Sequence, residues 1–206
     1  FVTLLAGGFG RLASVHVGRH FHFGYQRTGN TDLLRKLESR HGYSTRLLPP
    51  CIQDGQPVSS TRIRHAIRQG NLQTASRMLG RPYALGGRVI AGDGRARQLG
   101  FPTANLDVTG LVLPPAGVYA ARARWAHQTG LAVVNIGRRP TIDPANQVLS
   151  VEAHILDQQV DLYGHALELE LAARLRAERA FPNLAALRNQ IEHDIAAARP
   201  LLEKEI

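Results

Sequence analysis

The chain has 206 residues, 44% of them hydrophobic and 20% charged, a balance that excludes a disordered polymer and allows one large or two small cores. Its formal net charge of +9 suits anionic partners, yet arginine supplies all the basic charge except Lys36 and Lys204, lies scattered along the chain, and is joined by only 6% aromatics, too few for a base-stacking surface. No apolar run is long enough to span a bilayer, no leader pattern opens the chain, and the single cysteine, Cys51, excludes an internal disulfide framework and fits a reducing cytoplasm. Small anionic substrates such as nucleotides are therefore the expected partners, with a basic nucleic-acid-binding barrel as the alternative, and oligomeric state leaves no mark in the sequence. Because the first residue is Phe1, the chain is expected to be a piece of something longer.

In the first 80 residues, Leu4 and Leu5 before Ala6-Gly7-Gly8-Phe9-Gly10 predict a helix end and a glycine stop. Ser14-Val15-His16-Val17-Gly18 predicts a short buried strand, and residues 21–30 a loop with aromatics, one arginine and two glycines. Asn30 or Thr31 caps a helix whose stripe is Leu33, Leu34 and Leu37, running to about His41 and stopped by Gly42. Residues 44–48 then form a second strand before Pro49-Pro50, and strand–helix–strand order predicts part of a parallel α/β sheet. Ser59-Ser60-Thr61 opens a helix that ends near Gln69. Its hydroxyls, with Arg62 and Arg64, make a phosphate seat one reading and an ordinary capped, solvated helix start the other. Residues 72–79 form another short helix.

Gly80-Arg81-Pro82 marks a boundary. Beyond it, strands are predicted near 83–90, 103–108, 118–125, 131–136, 149–156 and 167–175, separated by Gly/Pro turns with no helix between, which predicts a small antiparallel barrel. Leu184, Leu187, Ile191 and Ile195 recur at helical spacing after Pro182 and Asn183, so a C-terminal helix is expected to pack on the barrel. The nine histidines are scattered and no His/Cys group has zinc spacing.

Three stretches carry possible chemistry. Ala91-Gly92-Asp93-Gly94-Arg95-Ala96-Arg97-Gln98-Leu99-Gly100 is glycine-rich and basic, suited to closing over a polyphosphate or to forming a plain hairpin turn. In the following Phe101-Pro102-Thr103-Ala104-Asn105-Leu106, an extended backbone puts Thr103 and Asn105 on one face, where a hydroxyl and an amide carbonyl can hold a hard cation. In the strand Ser150-Val151-Glu152-Ala153-His154-Ile155-Leu156, Val151, Ala153 and Ile155 face one way and Glu152 and His154 the other. Glu152 is thus a general-base candidate, or else a solvent-facing strand residue. Arg174-Leu175-Arg176-Ala177-Glu178-Arg179-Ala180-Phe181 is expected to be an exposed charged bend that frames a flat heterocycle or simply leads into the final helix.

Taken in order, these stretches resemble the riboflavin kinase module over about residues 82–199. The matching motifs are Gly92-Asp93-Gly94-Arg95, Leu99 to Leu106, Gly117-Val118-Tyr119, Asn135-Ile136-Gly137 with Arg139-Pro140-Thr141, Val151 to His154, Asp161-Leu162-Tyr163-Gly164, and Leu175 to Phe181. Residues 1–80 resemble the later part of the FMN adenylyltransferase module of bacterial bifunctional FAD synthetases, through Phe23-Gly24, Arg27, Gly29 and Ser59-Ser60-Thr61-Arg62-Ile63-Arg64. The resemblance implies an α/β plus β protein: a partial Rossmann-like nucleotidyltransferase segment at 1–80, then a riboflavin kinase-like antiparallel β-barrel with a C-terminal helix at 81–206.

By that resemblance the chain phosphorylates the 5′-hydroxyl of riboflavin with ATP to give FMN, in FMN and FAD biosynthesis. Glu152 activates the hydroxyl, and Thr103 and Asn105 hold Mg²⁺ or another divalent ion. Gly92, Gly94, Arg97, Thr103, Ile155, Asp157 and Tyr163 sit near ATP, and Arg176, Arg179 and Phe181 line the flavin. Phe23, Gly24, Arg27, Gly29, Ser59, Ser60, Thr61 and Arg64 are what is present of the adenylyltransferase site. That module's Gly-rich strand end and His-x-Gly-His motif are not in this sequence, and His20 stands where an acidic or amide residue is usual, so adenylyl transfer to FMN is not expected of this chain. Ala96 replaces a common glycine in the kinase loop, a change expected to stiffen it without abolishing binding.

Overall fold

The computed structural model of the protein describes residues 1–8, 11–92, 96, 99–138 and 149–203. Contacts divide the chain into two compact units, Phe1–Val58 and Ser59–Ile206.

The first unit contains α1 (Val2–Gly8), β1 (Ser14–Gly18), a 3-10 turn at Tyr25–Arg27, α2 (Thr31–Lys36), α3 (Glu38–His41), β2 (Ser44–Leu48) and a small hairpin of β3 (Ile52–Gln53) and β4 (Gln56–Pro57). Strands β1 and β2 pair in parallel, Ser14 opposite Ser44 and Gly18 opposite Leu48, as strand–helix–strand order predicts. Val2, Val17, Leu34 and Tyr43 form the core, with Phe21, Phe23 and Leu47 packed against it. Asn30 is the cap: its Oδ1 accepts the Leu33 N–H at 3.0 Å. The expected helix to His41 is broken at Leu37. The buried Tyr43 hydroxyl donates to the Leu34 carbonyl at 2.6 Å, taking the acceptor that a continuous helix offers to Glu38. The β3–β4 hairpin was not expected. Its signal is Asp54-Gly55, both at left-handed φ (54° and 71°), the backbone of a two-residue hairpin turn.

The second unit begins with α4 (Ser60–Arg68) and α5 (Leu72–Leu79), which pack on each other. Ser59 Oγ accepts the Arg62 N–H at 3.3 Å and Asn71 Oδ1 the Thr74 N–H at 3.1 Å. Then come β5 (Ala84–Ile90), β6 (Ala104–Leu106), β7 (Gly117–Trp125), β8 (Gln128–Arg138), β9 (Leu149–Ile155) and β10 (Ala166–Ala177). They close into a barrel in the order β10-β5-β6-β9-β8-β7, with every neighbouring pair antiparallel. All six expected strands are present. The barrel carries one face inward and one outward along each strand.

The inward face holds Leu85, Val89, Leu106, Tyr119, Val134, Ile136, Val151, Leu167 and Leu169. Ala121, Ala123, Ala132 and Ala153, all fully buried, keep the interior narrow enough for side chains to fill. Tyr119 donates its hydroxyl to the Pro115 carbonyl at 2.6 Å, and burial pushes its phenol above the usual value while nearby Arg174 acts the other way. The final helix, α6 (Leu184–Glu203), lies on the outward face, where Ala198 and Leu202 cover Val118, Ala120 and Val133. Asn183 caps it as expected, its Oδ1 accepting the Ala186 N–H at 2.8 Å.

Strand β10 runs further than the sequence suggests. Arg174 to Ala177 continue the ladder with β7 through two register shifts, so only the residues after Ala177 form the bend expected to start at Arg174. Gly117 explains how: a Cβ there would stand 2.5 Å from the Arg176 carbonyl oxygen, and only glycine lets β7 approach the shifted strand this closely. Among the described residues, no helix is long and apolar enough to cross a membrane.

Candidate active site

One row of cross-strand partners organises the outward face of the barrel. Ile90 lies opposite Asn105, Asn105 opposite Glu152, Glu152 opposite Asn135, Asn135 opposite Val118, and Val118 opposite Arg176. Residues directly opposite one another in antiparallel strands share a face at short Cβ separation. Because Val151, Ala153 and Ile155 are in the core, the half-buried Glu152 points outward between the two asparagines. His154 shares that face. Its Nδ1–H donates to the Pro102 carbonyl at 2.9 Å, and its ring meets Phe101 edge-on at 5.5 Å, so β9 anchors the segment leading into Thr103.

A cavity of about 670 Å³ opens beside this row. Gly92, Thr103, Asn105, Ile155 and Tyr163 line it, with 158–162 forming one wall. Asn105 therefore belongs both to the cavity and to the row that holds Glu152. Gly92 is held against it: a Cβ on Gly92 would collide with the Asn105 amide group. Tyr163, 66% exposed, stands at the rim, where Asp161 Oδ1 accepts its N–H at 3.1 Å. Gly94 and Arg97 lie outside the described residues. If this cavity receives ATP, as the family resemblance implies, replacing Gly92 by alanine should displace Asn105 and raise the KM for ATP about tenfold, the scale of a small misplacement of a positioning group. Steady-state kinetics beside a thermal melt that stays unchanged is the check.

Asp157 sits differently. It is exposed, is not among the cavity's lining residues, and receives a two-pronged ion pair from Arg199 of α6, both hydrogen bonds at 2.8 Å. Hydrogen bonding to Arg199, more than its charge, holds the Asp157 carboxyl below the usual carboxylate range. A carboxylate with a depressed native pKa contributes stability above its unfolded pKa and loses it as pH falls through the native one. Asp157→Asn, which tolerates the same left-handed backbone (φ 59°), should therefore lower Tm slightly at neutral pH. The gap from the parent chain should narrow as pH falls below the usual aspartate range and close once the native carboxyl is protonated, a comparison that calorimetry at several pH values makes directly.

At the other end of the row, Arg176 and Arg179 flank the Phe181 ring, their guanidinium carbons 5.5 Å and 5.1 Å from its centroid. Neither arginine hangs free. Arg176 forks onto Asp194 of α6 at 2.9, 3.1 and 2.8 Å, and Arg179 donates to Gln190. The three residues expected to line one flat ligand are thus brought together. Sequence reasoning missed Asn135 as a site residue, along with Gln190, Asp194 and Glu178, whose carboxylate approaches Gly137 beside the Asn135 amide. Asn135 was legible as part of Asn135-Ile136-Gly137; Gln190 and Asp194 carry no signal until the helix is docked.

Residues that the resemblance implies for an adenylyltransferase site divide between the units. Phe23, Gly24, Arg27 and Gly29 form a tight loop in the first unit, where Phe23 and Gly29 exchange backbone hydrogen bonds at 3.0 and 2.8 Å. Ser59, Ser60, Thr61 and Arg64 start α4 in the second.

A family model described as riboflavin kinase matches residues 79–202, more than half of the chain. The chain belongs to the riboflavin kinase family. A model described as FAD synthetase matches residues 4–62. The bifunctional riboflavin kinase/FMN adenylyltransferase of Pseudomonas fluorescens is 38% identical over 198 residues, covering 96% of this chain and 63% of the relative. That of Escherichia coli K12 is 38% identical over 190 residues, covering 92% and 60%. The chain therefore spans about three fifths of the length of these curated relatives. The crystal structure of the macrolide-efflux protein from Streptococcus pneumoniae matches with a TM-score of 0.70 at 28% identity, over 88% of this chain and 58% of that one. In riboflavin kinase terms, the matched region takes in the whole barrel and nearly all of α6, and with them the row, the cavity and the arginine cluster. The FAD synthetase match covers most of the first unit and ends inside α4, at the hydroxyl and arginine residues.

Proposed function

We propose that this chain transfers the γ-phosphate of ATP to the 5′-hydroxyl of riboflavin, giving FMN and ADP, with Glu152 as the general base. The observation that carries the assignment is the row Asn105–Glu152–Asn135, which sets a carboxylate beside an amide that also faces a cavity of nucleotide size. Glu152 accepts the hydroxyl proton as that oxygen attacks the γ-phosphorus, and the bond from the γ-phosphorus to the bridging oxygen of ADP breaks. Gly92, Thr103, Ile155 and Tyr163 bind ATP, together with Gly94 and Arg97 from the family resemblance; Asp157, which the resemblance also assigns to ATP, instead ties α6 to the barrel through Arg199. Arg176, Arg179 and Phe181 hold the flavin ring.

Magnesium, or another divalent ion, supplies charge neutralisation on the transferring phosphates when it is bound. The residues fit such an ion: Thr103 and Asn105 offer neutral, hard oxygens at the cavity. Among the described residues, no group of three His, Cys, Asp or Glu could hold a metal, which suits an ion that takes its other oxygens from phosphate and water.

Residues 1–80 and 81–206 are the proposed domains. The riboflavin kinase match beginning at residue 79 supports that division, while contacts group α4 and α5 with the barrel. Work in the cytoplasm is proposed from the lone exposed cysteine.

Incubation with riboflavin, ATP and Mg²⁺, followed by chromatography, tests the proposal. FMN is the expected product, and well-folded protein that yields no FMN would overturn it.

A further inference from the structure

Asp194 on α6 is 4% exposed, the one charged side chain so buried among the described residues. Burial of an ion is costly unless it is fully paired, and here the pairing is specific. Its two oxygens accept from Arg176 Nε at 2.9 and 3.1 Å, from Arg176 Nη2 at 2.8 Å and from Gln190 Nε2 at 2.8 Å. Gln190 in turn accepts from Arg179 through its Oε1. One carboxylate thus sits at the root of a short chain of hydrogen bonds that ends on both guanidinium groups, and those groups flank Phe181.

We propose that Asp194 and Gln190 are positioning residues for the flavin: they hold Arg176 and Arg179 at the spacing that receives the planar ring, acting only through those arginines. The inference rests on the assignment of the arginine–Phe181 cluster to the flavin. A bidentate fork onto a buried carboxylate fixes the guanidinium plane as well as its place, and Arg176 also belongs to the row that contains Glu152. The same contacts therefore set the ring's position relative to the base. α6 has a second task on the barrel, burying Val118, Ala120 and Val133, so a purely structural role for Asp194 has to be told apart from positioning.

The test is a double-mutant cycle read as KM for riboflavin and, separately, as KM for ATP. Asp194→Asn keeps the shape and removes the charge; it should raise the riboflavin KM about tenfold, the scale of a lost charge-assisted hydrogen bond, and leave the ATP KM unchanged. Arg176→Met should do the same, and the double variant should be no worse than Arg176→Met alone, because the two act as one unit. Gln190→Met, which keeps the helix and removes one hydrogen bond at each end, should raise the riboflavin KM several-fold and serves if Asp194→Asn fails to fold. Additive effects in the double variant, or a loss of Tm with both KM values unmoved, would overturn the proposal. If Arg176→Met itself leaves the riboflavin KM unmoved, the proposal falls and so does the flavin assignment of the cluster. If Arg176→Met raises it while Asp194→Asn and Gln190→Met do not, only the positioning role is lost.

Discussion

Glu152→Gln should reduce the rate of FMN formation about a thousandfold, within the range that removal of a general base costs. The KM values for riboflavin and ATP should stay within a few-fold of the parent. Glutamine fills the same place between Asn105 and Asn135 and keeps the strand register, so neither the barrel nor the cavity has cause to change. What disappears is a group that can take up the hydroxyl proton. The contrast with Gly92→Ala is therefore sharp: that change should act on nucleotide KM, and this one on kcat. Single-turnover measurement with saturating substrates isolates the chemical step. If the glutamine variant turns over as fast as the parent, Glu152 is not the base, and the carboxylate of Glu178, which approaches Gly137 beside Asn135, becomes the next candidate.

How far the site could be read in advance follows from what each signal depends on. The barrel strands were legible because inward and outward residues alternate along them, as in Val151, Glu152, Ala153, His154 and Ile155, and that period survives without knowledge of neighbours. Thr103 and Asn105 could be placed on one face for the same reason. The short extent of β6, only Ala104–Leu106, and the long extent of β10 were not legible, because pairing partners decide where a strand ends. Arg176 and Ala177, beyond the expected strand end, look like an exposed loop in composition, and it is Gly117 on another strand that lets them stay in the ladder. The break at Leu37 is of the same kind, set by a tyrosine nine residues from the carbonyl it occupies. Charge was the weakest guide. Arg176, Arg179 and Arg199 are all cations of the final third of the chain, yet two frame Phe181 and the third ties α6 to Asp157; only α6, once packed, separates these roles. Asp194 is the extreme case, an acidic residue in an amphipathic helix that reads as solvent-facing until its helix meets Arg176.

Leu169→Ala should be the mirror image of Glu152→Gln. Leu169 is fully buried between Leu85 on β5 and Ala123 on β7, its register partners on either side, and both are fully buried themselves. Strand β10 cannot move inward to refill the space without breaking ladders on both of its edges, so most of the vacated volume should persist as a cavity. A leucine-to-alanine change of this type costs about 2–5 kcal/mol. In a chain of this size that lowers Tm by roughly 5–15 °C. The outward face is a different matter. Glu152, Asn105 and Asn135 are fixed by the backbone register of β6, β9 and β8, none of which Leu169 pairs with, so kcat and both KM values measured well below the new Tm should match the parent. Differential scanning calorimetry and kinetics at low temperature separate the two quantities. A matching Tm would mean that the interior collapses around the smaller side chain. A fall in kcat at full folding would mean that the two faces of the barrel are coupled, and that the row holding Glu152 depends on the packing behind it as well as on its own hydrogen-bond register.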